Sequence, residues 1–306
     1  MPSNAALPKK ILFFGNEQLA TGVKAKPFIF EALLSSPYQI LGLILPTQPP
    51  RQPFPIAKLA TKHDIPIFYG KDKQALLRII KQSQATLGIL ASYGKIIPPE
   101  ILSALPLGIV NIHPSLLPQY RGTSPIETAI LDGKKTTGVS LMQLSSVMDA
   151  GPILAQRAID LSPTFSKQSL YESLSALGAK LLIATLPALF AGTAKPKAQI
   201  EAQATFTKPL TKDLGFLNPR AHSAHELALA VIAFQGFPKP KLKLLGLDCI
   251  ITKAHASKTP ASSLDPICKD GNFLVIDTLI PPNRKNMSSR DFLNGFRPSK
   301  SVPFAP

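Results

Sequence analysis

The chain has 306 residues, 45% of them hydrophobic and 17% charged, with 34 Lys+Arg against 18 Asp+Glu and a formal net charge of +16. That length suits two domains on a scale of roughly 100–200 residues each, and two cysteines exclude a disulfide framework or a cysteine metal cluster. The charge excess is +8 in residues 1–194 and again +8 in the shorter stretch 195–306. The second part is therefore the denser cationic surface, suited to a polyanion such as nucleic acid; solubility alone is the plainer reading of the same charge. No uninterrupted apolar run reaches the ~18–20 residues of a membrane helix, and the first ten residues carry no secretory pattern. A cytoplasmic protein is expected.

In chain order, Ile11–Phe14 ends at Gly15 and reads as a strand entering a tight βα turn. A helix over Pro27–Leu34 and a buried strand over Ile40–Leu45 follow. The proline-rich Pro46–Pro55 cannot be regular, because proline fixes φ and removes donors. Then come helix Ala57–His63, strand Pro66–Tyr69, helix Lys73–Ser83, strand Leu87–Ala91, helix Pro99–Ala104 and strand Ile109–Ile112. Continuous apolar strands separated by helices predict a doubly wound α/β domain with a mostly parallel sheet, closed by a helix over Ser169–Phe190. The expected boundaries are 1–192 for this domain, 193–208 for a linker and 209–306 for a smaller domain. In the last, helix His225–Phe234 precedes short strands at Lys241–Leu245, Cys249–Thr252 and Phe273–Leu279, the pattern of a small OB-like β-barrel. The chain from Ser299 on is Pro- and Ser-rich and is expected to be irregular.

Three polar residues stand out. Asn111 and His113 are two apart at the carboxyl end of a buried strand, so their side chains share a face, at the end where open parallel sheets bind ligands. Asp149 sits in Met148-Asp149-Ala150-Gly151, between the apolar stretches Val139–Leu144 and Ile153–Ala155. An amide and an imidazole can both stabilise a developing oxyanion, and a carboxylate orients the ring and favours its cationic form. The set suits attack of a neutral amine on a carbonyl. No Gly-x-Ser-x-Gly elbow supports a serine hydrolase. Taken one by one, Asn111 also fits a turn cap and His113 a satisfied core residue.

The run Asn111-Ile112-His113-Pro114-Ser115-Leu116-Leu117-Pro118, continued by Gln119-Tyr120-Arg121-Gly122-Thr123-Ser124-Pro125-Ile126, resembles the signature of folate-dependent formyltransferases. Thr137-Gly138-Val139, Met142-Gln143, Asp149-Ala150-Gly151 and Gln156 resemble a second block of that family, and Tyr93-Gly94-Lys95-Ile96-Ile97-Pro98 the segment before both. The resemblance implies Asn111, His113 and Asp149 as the catalytic trio and 10-formyltetrahydrofolate as co-substrate, with no metal. It implies Ser115, Leu116, Leu117 and Pro118 as folate contacts, with Leu90, Tyr93 and the segment from Gln143 to Val147 completing the pocket. The basic second domain, and linker-like runs at Ala191–Pro196 and Lys208–Lys212, are similar to the branch that formylates methionyl initiator tRNA. Arg51, Lys239 and Lys241 are then the expected tRNA contacts, and the enzyme is expected to be a monomer. Lys239, Lys241 and Lys243 would form a cationic ridge on one face of a strand; a lysine-guarded edge strand fits the same residues. Formyl transfer to an amino sugar nucleotide, or silent RNA binding on the same scaffold, are the alternatives. The sequence departs from the family at the first turn (Gly15-Asn16-Glu17-Gln18), in the shortened Pro46–Pro55 loop, at Ser145 and Val147, and in having no Trp.

Overall fold

A computed structural model describes residues 9–46, 53–70, 72–162 and 164–295. They divide into two compact units, Met1–Ile126 with Lys135–Pro209, and Glu127–Lys134 with Leu210–Pro306. Arg51 and the chain beyond Ser299 lie outside the described residues.

The first unit is built on strands β1 (Lys10–Phe14), β2 (Gln39–Leu45), β3 (Ile67–Tyr69), β4 (Leu87–Leu90), β5 (Ile109–His113), β6 (Thr136–Gln143) and β7 (Ile153–Asp160). Their order is β3-β2-β1-β4-β5-β6-β7. The five strands from β3 to β5 are parallel, as expected. β6 and β7 are antiparallel, a hairpin that the apolar stretches around Asp149 only hinted at. Both faces of the central strands are buried, which is why they read as unbroken apolar runs. In β1, Leu12 and Phe14 join a cluster with Ile44, Ile80, Leu90 and Ile109. Phe13 on the other face meets Phe30 edge-on, with ring centroids 5.3 Å apart.

The helices of this unit are α1 (Phe28–Leu34), α2 (Pro55–Lys62), α3 (Lys73–Ser83) and α4 (Pro99–Leu102); α5 (Pro125–Leu131), unanticipated in the sequence, straddles the division between the units, and α6 (Lys167–Phe190) follows. The unusual first turn serves α1. Glu17, in a left-handed conformation at φ 57°, accepts the Ile29 and Phe30 amides at 3.0 and 2.6 Å and so caps the helix from a distance. Burial pushes its carboxyl up to about 8, against the pull of those two amides. Helix α6 opens with a reciprocal Ser166–Ser169 capping box and keeps Pro187 in its final turns. By length and mean hydropathy it is the one described helix able to cross a membrane, although no unbroken apolar run that long occurs in it. Leu170, Leu174, Gly178, Leu182, Leu186 and Leu189 are buried at helical spacing, so it serves as a core helix against α1, β6 and β7.

The segment expected to be a linker belongs to the first unit. Ile153 and Lys197 exchange backbone hydrogen bonds of 2.7 and 2.8 Å, and Arg121 pairs with the segment through Thr205 and Thr207 at 2.9 and 2.7 Å. Prolines and small residues keep this stretch extended, and the open edge of β7 offers it partners.

The second unit holds α7 (Ala224–Ala233), β8 (Lys241–Leu244), β9 (Leu247–Ser257), β10 (Phe273–Ile280), β11 (Met287–Ser288) and α8 (Ser289–Gly295). Leu227 and Val231 of α7 pack with Leu242, Ile251, Ile276 and the free cysteines Cys249 and Cys268. The strands form an antiparallel sheet ordered β11-β10-β9-β8. No pairing among the described residues joins β8 to β11, so what the structure shows is a small antiparallel sheet of four strands, compatible with a small domain. Lys239 is also displaced from its expected place. It precedes β8 with φ 77°, just after the cis Phe237–Pro238 bond, so only Lys241 and Lys243 share the outer face of the strand. Lys241 Nζ lies 5.2 Å from the centroid of the exposed Phe216 ring.

Candidate active site

Asn111 and His113 stand at the carboxyl end of β5, 7% and 4% exposed. Ile112 between them turns to the opposite face. There a Cβ on Gly178 would come within 2.9 Å of the Ile112 side chain, so glycine lets α6 press directly on β5. Asp149 comes from the β6–β7 connection in a left-handed conformation, φ 49°. A Cβ at Gly151 would fall 1.8 Å from the Gln143 carbonyl oxygen, so only glycine allows the two hairpin arms to meet there.

The three side chains converge. Asn111 Nδ2 donates to Asp149 Oδ1 at 3.4 Å, and His113 Nδ1 lies 3.7 Å from Asp149 Oδ2. The Gly122 amide donates to Asp149 Oδ2 at 2.8 Å. His113 Nε2 lies 2.9 Å from the Tyr120 carbonyl oxygen. A carbonyl can only accept, so Nε2 carries the hydrogen there. In the neutral ring Nδ1 is then bare, and it becomes a donor only in the imidazolium, for which the Asp149 carboxylate is the neighbouring counter-charge.

These residues form the polar end of a cavity of about 370 Å³. Leu90, Tyr93, Ile97 and Leu144 supply apolar wall, and the exposed Ile96, Val147 and Met148 also line it. Burial pushes the Tyr93 phenol above its ordinary range. The cavity lies past the ends of β4 and β5, beside the β1/β4 position where strand order reverses, the usual ligand site of such sheets.

Of the residues expected around the folate, Leu90 and Tyr93 line this cavity; Gln143 does not, although Leu144 to Asp149 directly after it do. Ser115, Leu116, Leu117 and Pro118 are also absent from the lining. Several of their polar groups are taken up by side chains of β6 and β7. Ser140 Oγ donates to the Ser115 carbonyl at 2.6 Å and accepts the Leu117 amide at 3.0 Å, while Gln156 Nε2 donates to the Leu117 carbonyl at 2.7 Å. Leu117 is buried, and Pro118 follows a cis bond and has no N–H to offer. Among the described residues no group of His, Cys, Asp and Glu could hold a metal ion.

Sequence reasoning missed Gln199. Its Nε2 donates to the carbonyls of Asp149 and Gly151 at 2.8 and 2.7 Å. An isolated glutamine in a Pro- and Ala-rich stretch carries no sequence signal of such a role.

Residues 51–186 match the formyl transferase family. A methionyl-tRNA formyltransferase of Sulfurihydrogenibium sp. (strain YO3AOP1) is 31% identical over 309 aligned residues, 94% of this chain and 97% of the relative. The chain belongs to the methionyl-tRNA formyltransferase family. A second member, from Roseiflexus castenholzii, is 33% identical over 86% of this chain and 90% of its own. Among solved structures, an N-formyltransferase from Helicobacter canadensis, in complex with folinic acid and dTDP-3-aminofucose, covers 88% of this chain and 98% of its own. Its TM-score is 0.66 at 14% identity, a likeness of fold.

Proposed function

We infer that this member of the family transfers the formyl group of 10-formyltetrahydrofolate to the α-amine of methionyl initiator tRNA. The observation that carries the reading is the convergence of Asn111, His113 and Asp149 at the polar end of an apolar cavity, in a chain matched along nearly its whole length by methionyl-tRNA formyltransferases.

The free amine attacks the formyl carbon directly. Asn111 Nδ2 and the Nδ1–H of the His113 imidazolium donate to the oxygen as it becomes an oxyanion. Asp149 keeps that cation beside the reacting atoms and, directly or through water, takes the proton the amine must lose. Collapse of the tetrahedral adduct breaks the bond from carbon to folate N10, which leaves with a proton. Leu90, Tyr93, Ile97 and Leu144 enclose the pterin. Lys241 and Lys243 offer phosphate contacts on the second unit. The protein works as a cytoplasmic monomer.

The test is a formylation assay with charged initiator tRNA and 10-formyltetrahydrofolate, comparing wild type with Asp149→Asn. Formylation by the wild type and about 100-fold less by the variant is expected. Because the Helicobacter canadensis neighbour is described with dTDP-3-aminofucose, that amino sugar nucleotide is the second acceptor in the assay. Formylation of the sugar with none of the tRNA would overturn the acceptor assignment.

A further inference from the structure

Asp149 adopts a left-handed conformation that L-residues disfavour, in a connection exposed on one side. The side chain of Gln199, 50 residues away in the segment along β7, reaches the backbone on both sides of Ala150. Both Nε2 hydrogens are used there, on the carbonyls of Asp149 and Gly151. Oε1 accepts Arg121 Nε at 3.0 Å and Nη2 at 2.9 Å.

The Arg121 fork dictates which way the amide faces. An arginine edge only donates, so it claims Oε1 and leaves the NH₂ toward the two carbonyls. Arg121 is itself fixed, 1% exposed, with Nη1 bonded to Glu201 Oε1 at 2.8 Å. Gly122, the next residue in the chain, donates its amide to the Asp149 carboxylate. One arginine thus orders both the backbone and the side chain of Asp149. Asparagine, one methylene shorter, could not span the same distance.

We propose that Gln199, oriented by Arg121, is a positioning residue for formyl transfer, acting through Asp149. The inference rests on the formyl-transfer reading, and the segment carrying Gln199 becomes part of the active site instead of a tether between units.

Two variants separate positioning from folding. Gln199→Ala removes the clamp. Gln199→Glu keeps the oxygens for Arg121 but loses both donors to the loop. Each is expected to lower kcat by about 10-fold or more, through misplacement of a reacting group. KM for the formyl donor should stay within about threefold, because the apolar wall is untouched. Placed on Asp149→Asn, either substitution should cost less than about twofold further, since residues acting through one group are not additive. A readout independent of turnover is the NMR shift of the His113 ring protons, which sense the nearby carboxylate. It should move in Gln199→Ala, and Gln199→Ala/Asp149→Asn should match Asp149→Asn alone. Wild-type turnover in both variants, unmoved His113 shifts, or a full penalty repeated on Asp149→Asn would overturn the proposal. A wild type that formylates no methionyl-tRNA while His113 still responds to Gln199→Ala would instead sink the acceptor reading and leave the positioning role standing.

Discussion

The two sheets solve different problems with the same apolar vocabulary. In the first unit the central strands are buried on both faces, so every polar residue near their ends is costly unless it is used. Asn111 and His113 are 7% and 4% exposed and hydrogen-bond into a cavity. In the second unit the sheet is antiparallel and one-sided. β8 alternates Lys241 and Lys243 outward with Leu242 and Leu244 inward, and its polar residues are solvated at little cost. Buried polarity concentrates chemistry, while solvated polarity spreads charge. Substitutions in the first unit should therefore act on turnover, and those on the second-unit lysines on binding.

The sharpest break would come at the trio. Asn111→Ala and His113→Ala should each cut kcat by about 100-fold or more, the loss of one oxyanion donor. Thermal melting should show both proteins folded. Near-wild-type turnover by purified Asn111→Ala would undo the assignment.

Next in size is Gly151→Ala, which places a methyl against the Gln143 carbonyl oxygen and forces the hairpin arms apart. A loss of about 1–3 kcal/mol is expected from such overpacking, together with slower turnover, because Asp149 rides on the same connection. A variant with unchanged Tm and kcat would show the connection to be pliant.

Glu17 gives a pH-dependent comparison. Its folded carboxyl is raised from the ordinary 4.5 to about 8, so folding takes up a proton between those values. The stability it contributes is fully present below about pH 4.5 and is lost as pH rises toward 8. Glu17→Gln should flatten the fall of Tm between pH 5 and 8. An unchanged slope would locate the titration elsewhere.

The smallest effect belongs to the second unit. Lys241→Ala should raise KM for tRNA a few-fold, leave kcat close to wild type, and reduce the salt slope of binding by about 1. A fall in kcat with unchanged KM would erase the contrast between the two sheets.

Much of the first unit was legible in the sequence. Unbroken apolar runs such as Ile40–Leu45 and Ile109–Ile112 can be satisfied only by burial on both faces, and the spacing of Asn111 and His113 followed from the period of a strand. The hairpin carrying Asp149 was less legible, because Ser145 to Met148 break its pattern, and α5 was missed because its run of seven residues is short. The turn at Ser115–Pro118 was expected at the folate because of its resemblance to the family's loop. Its hydrogen bonds to Ser140 and Gln156 depend on partners 23 to 39 residues away in chain order, which no local pattern reports.

The sequence by itself determined the α/β class, the polar pair on β5 and the cationic excess of the second part, since these depend on side-chain period and composition. Only the tertiary structure decided that Asp149 meets that pair and that Gln199 reaches from the segment along β7 to the connection between β6 and β7. Each of these is a long-range contact between short polar groups, whose energy comes from geometry at 3 Å or so. Composition and periodicity carry no trace of that geometry.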